Sequence, residues 1–422
     1  MVLKFKRVVI MAVIFPLSLG VNAIRYEKFG LVFDINTSSN TCSVVDAILN
    51  CFSEIEIPSS IEYEGVEYPV TSIGRSAFLG KDSVLTSITI PESVTVIEGY
   101  NFNFTNLERI VLKCDTVSIH GGVFFGTKWF DNFPDGPVII GRVLYRYKGD
   151  IPSSYIVPDT IVKIAGEAFA NQIVPMHGIR FPRNNYLTSI DIPESVTWIG
   201  DKAFYYCDEL SSVTIRGNIS RIENGTFTCC VMLSSFTIPE SVRYIGAGAF
   251  CETGLSSIIL PPNLEKIDTL AFGYCDSLSS ITIPQSVVEI GLVAFANSHL
   301  ESIYFLNSTP PILGDQAIDR YCSLYVPEGS FEAYRSATAG WGYTFNIMEF
   351  DPTGVDLIVS IIPDVFSSDG VIRVSGAGSG AVISLYGVTG ELLYKGTDTT
   401  IPVSGSGLYI VKVNEFTRKV VL

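Results

Sequence analysis

Histidines, cysteines and carboxylates build most active sites, and in this chain none of them forms a recognisable catalytic motif. The three histidines, His120, His177 and His299, are far apart, and none belongs to a His-Glu-x-x-His pattern. No Gly-x-Ser-x-Gly element marks a nucleophilic serine, and the glycine-rich residues 376–380 lack the lysine of a phosphate-binding loop. We therefore expect a non-enzymatic protein that carries no cofactor.

The cysteines also lack the spacing of a metal site. No two of the nine form a Cys-x-x-Cys pair, and no calcium loop of the Asp-x-Asp-x-Asp-Gly type is present. Cys207, Cys230 and Cys275 each follow a phenylalanine by three residues, which is typical of small buried apolar side chains in a repeat. Cys42 and Cys51 stand apart, and we expect either a disulfide between them or two free thiols.

The composition is unusually apolar for a soluble protein. Of the 422 residues, 47% are hydrophobic and only 17% are charged, against roughly 25% charged residues in an average soluble domain. This balance excludes intrinsic disorder. A net charge of −15 opposes contact with phosphate, so we expect no nucleic-acid partner. Such a chain must either cross a membrane or bury its apolar residues in an extended core.

A basic start followed by an apolar run marks the N-terminus. Lys4, Lys6 and Arg7 precede the apolar residues 8–19, and small residues lead up to Ala23. The run is shorter than the roughly 20 residues that span a bilayer. We predict a signal peptide over residues 1–23 and no transmembrane segment in the mature chain. The protein would then be secreted or attached to the outer cell surface.

A repeat of 22 to 23 residues governs most of the chain. The unit that starts at Leu187 begins Leu-x-x-Ile-x-Ile-Pro and ends with Ala-Phe, and the other units keep this frame with other apolar residues at some positions. In one unit, Ile190 and Ile192 would face one side of a strand while Asp191 faces the other. Pro193 then ends the strand, because proline has no N–H to donate. The units start at Leu85, Leu107, Leu187, Leu210, Leu233, Leu255, Leu278 and Leu300. The closing phenylalanines, which should form a buried ladder, are Phe78, Phe169, Phe204, Phe227, Phe250, Phe272 and Phe295.

This period and this pattern are typical of a leucine-rich repeat. A single unit cannot bury its apolar residues, so neighbouring units must stack. We predict a mainly β fold, a right-handed leucine-rich-repeat solenoid of about ten coils over residues 53–350, followed by a small C-terminal β-sandwich at 355–422. Residues 24–52 would cap the N-terminal end and 322–350 the C-terminal end. A hairpin insertion would interrupt the period at 129–150.

The repeats resemble the BspA-like leucine-rich repeat family. Residues 88–99, 190–200 and 236–246 share the phrase Ile-Pro-Glu-Ser-Val, and the resemblance extends over about residues 53–350. It implies a cell-surface protein that adheres to host extracellular-matrix or surface proteins, or to a neighbouring cell. The alternative is a surface protein that binds glycans or acts as a scaffold in nutrient uptake.

The tail carries a second resemblance. Residues 384–390, 407–413 and 419–421 are similar to the C-terminal sorting domain of the type IX secretion system of Bacteroidetes. Such domains route an exported protein across the outer membrane. The chain ends on Leu422 without a terminal basic residue, so a β-sandwich without sorting activity is the alternative.

Two sets of side chains are candidates for ligand binding. One occupies the outward position between the two inward strand residues, where it would form either a solvated polar face or a docking surface. Its members are Thr89, Asp191, Thr214, Thr237, Thr282 and Tyr304. The other set is Trp129, Phe130 and Tyr145 in the insertion. These side chains would stack on a sugar if they are exposed. If they are buried, the insertion is only an enlarged coil of the solenoid, and they would pack into it.

Overall fold

The computed structural model describes most of the chain between residues 23 and 421. The described residues are 23–48, 53–80, 85–103, 105–171, 186–337, 341, 345–352, 364–368, 371–375, 383–386, 392–398, 400–402, 408–413 and 416–421. Apart from Ala23, the predicted signal peptide lies outside them, and so does Cys51. The chain divides into two compact units. The first unit comprises Met1–Asp150 and Thr160–Ala168, and the second comprises Ile151–Asp159 and Phe169–Leu422.

Short strands dominate the elements up to residue 164. They are β1 (Ala23–Lys28), β2 (Leu31–Asn36), β3 (Thr41–Ala47), β4 (Glu54–Glu56), β5 (Ser60–Tyr63), β6 (Val66–Ile73), β7 (Ser87–Ile90), β8 (Val96–Ile97), β9 (Arg109–Leu112), β10 (Ser118–Ile119), α1 (Lys128–Asp131), β11 (Gly136–Ile140), β12 (Val143–Lys148), β13 (Ser154–Ile156) and β14 (Lys163–Ile164). Of these, β13 belongs to the second unit.

The remaining elements all lie in the second unit. They are β15 (Ser189–Ile192), β16 (Trp198–Ile199), β17 (Ser212–Ile215), β18 (Arg221–Ile222), β19 (Tyr244–Ile245), β20 (Lys266–Ile267), β21 (Ser280–Ile283), β22 (Glu289–Ile290), β23 (Ser302–Phe305), β24 (Ile312–Leu313), β25 (Ser323–Pro327), α2 (Phe331–Ser336) and β26 (Asn346–Phe350). The tail adds β27 (Asp364–Ser368), β28 (Val371–Ser375), β29 (Ile383–Tyr386), β30 (Leu392–Gly396), β31 (Thr400–Pro402), β32 (Leu408–Val413) and β33 (Phe416–Val421).

In the first unit, each repeat contributes one strand to each of two parallel sheets. Strands β4, β7 and β9 form one sheet, and β6, β8 and β10 belong to the other. The second sheet extends toward the N-terminus through β3, which is parallel to β6, and then through the antiparallel strands β2 and β1. The N-terminal strands therefore cover the end of the stack, where an apolar coil would otherwise be exposed.

The second unit repeats this arrangement over more coils. One side of its coils carries two sheets, β13–β15–β17 and β21–β23–β25–β26. The other side carries the sheet β18–β19–β20–β22–β24. Between β17 and β21, the first side has a single bridge from Thr237 to Ile259. The tail contains two antiparallel sheets, β27–β28–β31 and β30–β29–β32–β33. The predicted mainly β leucine-rich-repeat solenoid with a β-rich tail is confirmed.

Phenylalanine rings stack from coil to coil within each unit. In the first unit, Phe78, Phe102 and Phe124 are separated by 4.7 and 5.5 Å between ring centroids. In the second unit, six rings from Phe169 to Phe295 follow at 5.3 to 5.6 Å, with interplanar angles of 3 to 14°. All of these rings are at most 1% exposed. Each therefore combines a large buried apolar area with a contact to its neighbour.

A left-handed backbone conformation on both sides of the phenylalanine turns each coil. Around Phe204, Lys202 has a φ of 56° and Tyr206 a φ of 58°. The N–H groups of Phe204 and Tyr206 donate to the carbonyls of Thr226 and Thr228 in the next coil, both at 2.9 Å. This conformation costs a residue with a side chain roughly 1–2 kcal/mol. The hydrogen bonds between coils and the buried ring compensate for that cost.

The last coil is closed by aromatic side chains from the C-terminal cap. Tyr334 of α2 packs 5.3 Å from Phe305, and Trp341 lies 5.7 Å from the same ring. The Tyr334 hydroxyl donates to the Asn307 carbonyl at 2.8 Å, and the Trp341 indole N–H donates to the Pro311 carbonyl at 3.0 Å. Both rings thus bury their apolar surface while their polar atoms keep partners.

Removing one ring of the ladder should strongly destabilise the fold. For Phe250→Ala we expect the free energy of unfolding to fall by about 3–5 kcal/mol, because the ring is fully buried between two others and leaves a cavity. Urea denaturation followed by circular dichroism measures the change. Tyr321→Ala is the control, since Tyr321 is 83% exposed and should change stability by less than about 0.5 kcal/mol. A loss below 1 kcal/mol for Phe250→Ala would contradict the ladder.

Replacing Val293 with glycine should relieve backbone strain in the turn. This β-branched residue has a φ of 48°, so Val293→Gly removes a strain of about 1–2 kcal/mol while adding about 0.5–1 kcal/mol of chain entropy cost. We expect a net gain in the free energy of unfolding, measured by the same denaturation. Val287→Gly is the matched control and should destabilise, because Val287 is 1% exposed and lies in the core. Equal losses in both variants would refute the account of the turn.

Candidate functional site

The outward-facing strand positions form a row along the first sheet of each unit. We call these side chains the outward row. Parallel register aligns them, so that partners on neighbouring strands share one face of the sheet. Its members are Glu56, Thr89 and Val111 in the first unit, and Ile156, Asp191, Thr214, Thr237, Ile259, Thr282, Tyr304, Tyr325 and Met348 in the second.

All six residues predicted for this face lie in the outward row, but the row is less polar than expected. Ile156 and Ile259, which were not among the predicted residues, are 70% and 41% exposed in the row. Tyr325 and Met348 also belong to the row and were missed. A signal was present for Ile259, because it follows Leu255 by the same four residues that separate other row members from their leading leucines.

Asp191 is the one carboxylate of the row among the described coils of the second unit. Its Oδ2 accepts a hydrogen bond from the Arg216 guanidinium at 2.8 Å, and its side chain is about one-third exposed. Pairs exposed to this degree contribute about 0–1 kcal/mol. Asp191 therefore adds local charge pairing to the row.

The row ends in stacked aromatic rings. Tyr304 and Tyr325 lie 4.5 Å apart with an interplanar angle of 12°. Phe350 meets Tyr304 edge to face at 5.8 Å. All three side chains are partly exposed. This end of the row thus offers rigid aromatic surface, of the kind that dominates binding energy in interfaces.

Two of the three aromatic side chains predicted for binding in the insertion lie in the core. Phe130 is 5% exposed and Tyr145 is 2% exposed, and their rings meet at 5.8 Å. The Tyr145 hydroxyl accepts a hydrogen bond from the Phe124 N–H at 2.9 Å, and burial raises the pKa of Tyr145. Trp129 is half-buried against Phe124. The expectation of exposed stacking faces is therefore corrected: these rings extend the phenylalanine stack.

A nearly buried ion pair fixes the β11–β12 hairpin to its coil. The Arg146 guanidinium lies 3.9 Å from the Glu167 carboxylate, and their side chains are 12% and 4% exposed. The same guanidinium lies over the Phe125 ring at 5.1 Å. Breaking such a pair would leave one charge in an apolar environment. The pair therefore holds the hairpin in place and belongs to the scaffold.

The repeated thiols are structural. Cys207, Cys230 and Cys275 each donate a hydrogen bond to the carbonyl of the phenylalanine in the preceding coil, at 3.1 to 3.3 Å. At the same position of another coil, the Thr253 hydroxyl donates to the Phe250 carbonyl at 2.9 Å. Burial raises the pKa of Cys275 to about 11 and that of Cys230 well above its usual value. Neutral buried thiols are poor nucleophiles and metal ligands.

Cys42 lies in strand β3 and is also buried. Its thiol is 3.5 Å from the carbonyls of Tyr68 and of Pro69, and burial raises its pKa to about 12. Cys51 lies outside the described residues. The disulfide between Cys42 and Cys51 therefore stays a prediction.

Among the described residues, no group of three or more histidine, cysteine, aspartate or glutamate side chains is placed to hold a metal ion. His299 pairs its Nδ1 with the Asp276 carbonyl at 3.2 Å on the surface. Among the described helices, none is long and apolar enough to cross a membrane.

The repeats identify the family. The model of the BspA type leucine-rich repeat region matches this chain in six copies, over residues 49–173, 138–272, 179–301 and 245–317. Together these matches cover more than half of the sequence. The chain belongs to the BspA-type leucine-rich repeat family. It is thus a repeat scaffold of the kind that binds proteins through an extended surface.

Several solved structures are similar to this BspA-type chain. A leucine-rich repeat protein from Bacteroides ovatus is 21% identical, with 77% of this chain and 100% of that chain covered and a TM-score of 0.26. A leucine rich cell surface protein from Faecalibacterium prausnitzii is 22% identical, with 78% and 95% covered and a TM-score of 0.25. The pneumococcal vaccine antigen PcpA is 15% identical, with 78% and 98% covered and a TM-score of 0.27. No curated protein sequence matches the chain.

The structural role of the thiols predicts their reactivity. Burial raises the pKa of Cys275 to about 11 and that of Cys322 to about 12, so both should resist iodoacetamide in the native protein at pH 8. Both should react fully once urea unfolds the chain. Peptide mass spectrometry after timed labelling measures each site. Cys114 is only half-buried and serves as the internal control that should react first. Faster native labelling of Cys275 than of Cys114 would contradict the structural role.

Proposed function

We propose that this protein is an exported cell-surface binding protein that recognises host or neighbouring-cell proteins through its outward row. The observation that carries the proposal is the row itself. Its side chains stand in register on successive parallel strands, while the core uses the residues on either side of them. A surface fixed in this way is rigid and extended, as in other repeat proteins that bind partners.

Sequence features support a location outside the cell. The basic start at Lys4 and the apolar residues 8–19 have the character of a secretory signal, and membership of the BspA-type family agrees with a surface protein. Attachment at the outer surface draws support from the resemblance of the tail to a type IX sorting domain. We propose no catalytic role, since the sequence carries no recognisable catalytic motif.

The chemistry of the row indicates the character of its partner. In the second unit, hydroxyl, aliphatic and aromatic side chains outnumber the single carboxylate of Asp191, while the whole chain carries a net charge of −15. A polyanionic partner would be repelled, whereas a neutral or basic protein surface would not. The aromatic end at Tyr304 and Tyr325 would supply the binding hot spot. Its partly exposed rings also favour the alternative function, surface glycan binding in nutrient uptake.

Charged substitutions on the row should weaken binding without unfolding the protein. We expect the pair Thr214→Arg and Thr237→Arg to weaken saturable binding to immobilised extracellular-matrix and plasma proteins by at least about tenfold, measured by surface plasmon resonance. Both side chains are exposed, so long cations there would block contact and leave the core intact.

The matched control places the same charge elsewhere on the repeat. Val288→Arg with Ile312→Arg alters residues that are 62% and 61% exposed and lie outside the outward row. Binding should stay within about twofold of the wild type. Equal losses in both double variants, or no saturable binding by the wild type, would overturn the proposal.

A further inference from the structure

The parallel pairing of the second unit is interrupted beside strand β21. This strand begins a sheet that continues through β23, β25 and β26, and none of the described strands pairs with its other edge. The coil of Ile259 comes directly before β21 in the stack, but its bridge leads away from β21, to Thr237. Among the residues that the structure describes, no backbone hydrogen bond joins 257–263 to β21. Two backbone edges therefore face each other here without forming a ladder.

The same two coils stay together on their other sides. Strands β20 and β22 pair in parallel, and the rings of Phe272 and Phe295 stack 5.6 Å apart. The Ser286 hydroxyl donates to the Leu264 carbonyl at 2.6 Å and joins the coils again where the chain leaves β21. The interruption is therefore local to the side of the coils that carries β21.

A cavity of about 750 Å³ lies between residues 257–263 and 280–286. We call it the β21 crevice. Its volume is within the range of ligand sites in proteins. Ile258 and Ile281 supply buried apolar surface, and exposed serine, asparagine and glutamine side chains supply polar groups. Among the described lining residues, none carries a charge. A charged occupant would lose its hydration there without meeting an opposite charge, so the lining favours an uncharged one.

The backbone of β21 points polar groups toward the crevice. The carbonyls of Ser279 and Ile283 accept hydrogen bonds at 2.8 and 3.0 Å from N–H groups of the following coil. Backbone groups alternate in direction along a strand, so Ser280 and Thr282 direct their N–H and C=O groups to the opposite side, where the crevice lies. These two residues are about 7 Å apart, at roughly 3.3 Å per residue. Another extended chain presents its own N–H and C=O groups at the same interval, so this edge is suited to pairing with one.

We propose that the β21 crevice binds an extended, uncharged segment of a partner protein, which pairs through its backbone with Ser280 and Thr282. This inference rests on the proposed function and names how one part of the outward row would hold its protein partner. Main-chain pairing of this kind adds a strand to an open sheet edge. Alternate side chains of the segment would face the crevice, where Ile258 and Ile281 offer apolar contact. A glycan has no series of N–H and C=O groups at the strand interval, so the edge favours a polypeptide.

Synthetic peptides test this pairing on the full chain. The probes are an array of short uncharged peptides in which apolar residues alternate with serine or threonine, and the tightest binder is then titrated by calorimetry. N-methylation of every second amide, in each of the two registers, keeps all side chains but removes N–H groups that a strand edge needs. At least one register should lower the affinity by about tenfold or more, because the β21 carbonyls lose their donors.

Proline at position 282 removes the corresponding donor from the protein. Thr282→Pro deletes an N–H that faces the crevice and takes no part in the pairing with β23, so the sheet should persist. Peptide affinity should fall by about tenfold or more. Ile347→Pro makes the same change on β26, at the opposite edge of the sheet, and should stay within about twofold. Circular dichroism checks that both variants fold, and the methylated peptides decide the question if Thr282→Pro does not.

Hydrogen exchange locates the bound peptide on the chain. In the free protein, the Thr282 N–H should exchange faster than the Ile283 N–H, which faces β23. The bound peptide should slow exchange at Ser280 and Thr282 and leave Ile347 unchanged. Mass spectrometry with fragmentation of the labelled peptides measures each amide.

Several outcomes would overturn the proposal. They are no binding of any peptide, full affinity of both methylated registers, equal losses in the two proline variants, or binding of maltotriose in place of the peptides. Wild-type binding to matrix proteins is measured in parallel. If these proteins bind and no peptide does, the crevice proposal fails while the proposed function stands. If peptides bind in the crevice and no matrix protein does, the proposed recognition of such proteins fails while the crevice stands.

Discussion

The spacing between neighbouring coils is the constraint on which the rest of the structure depends. Hydrogen bonds between parallel strands fix that spacing at about 4.8 Å. Any side chain that recurs in the repeat must therefore pack against a copy of itself at nearly this distance. Flat rings meet the requirement well, and the phenylalanines accordingly stand at 5.3 to 5.6 Å in the second unit with almost parallel planes.

The same spacing accounts for the polar groups of the core. Each phenylalanine carbonyl needs a donor once it is buried. A threonine in its own coil or a cysteine in the next coil can reach it, which is why Thr253 and Cys275 both bond to the Phe250 carbonyl. Nine cysteines would ordinarily suggest disulfides if the chain is exported, as we propose. The repeat explains three of them, Cys207, Cys230 and Cys275, as small donors inside the ladder.

The constraint also organises the surface that we propose for binding. Register keeps one outward side chain of every coil on a common line, so a single change of residue size creates a feature one coil wide. Tyr304 and Tyr325, for example, stand on neighbouring strands and make a continuous ring surface. A repeat surface thus acquires specific sites where the outward residue differs from its neighbours in the row. The constant distance between coils keeps that surface rigid.

Much of the fold could be predicted from the sequence, because the inward residues repeat with a fixed period. The strand residues Ile190 and Ile192 and most of the phenylalanine ladder are local patterns. Phe102 and Phe124 belong to the ladder but were not predicted, and Asn101 and Val123 stand there in place of the alanine that precedes most of the predicted rings. The left-handed turns at residues such as Lys202 carry no glycine signal. Only the tertiary structure placed Tyr145 in the core and Tyr325 on the face, because burial and register depend on which coil stacks on which.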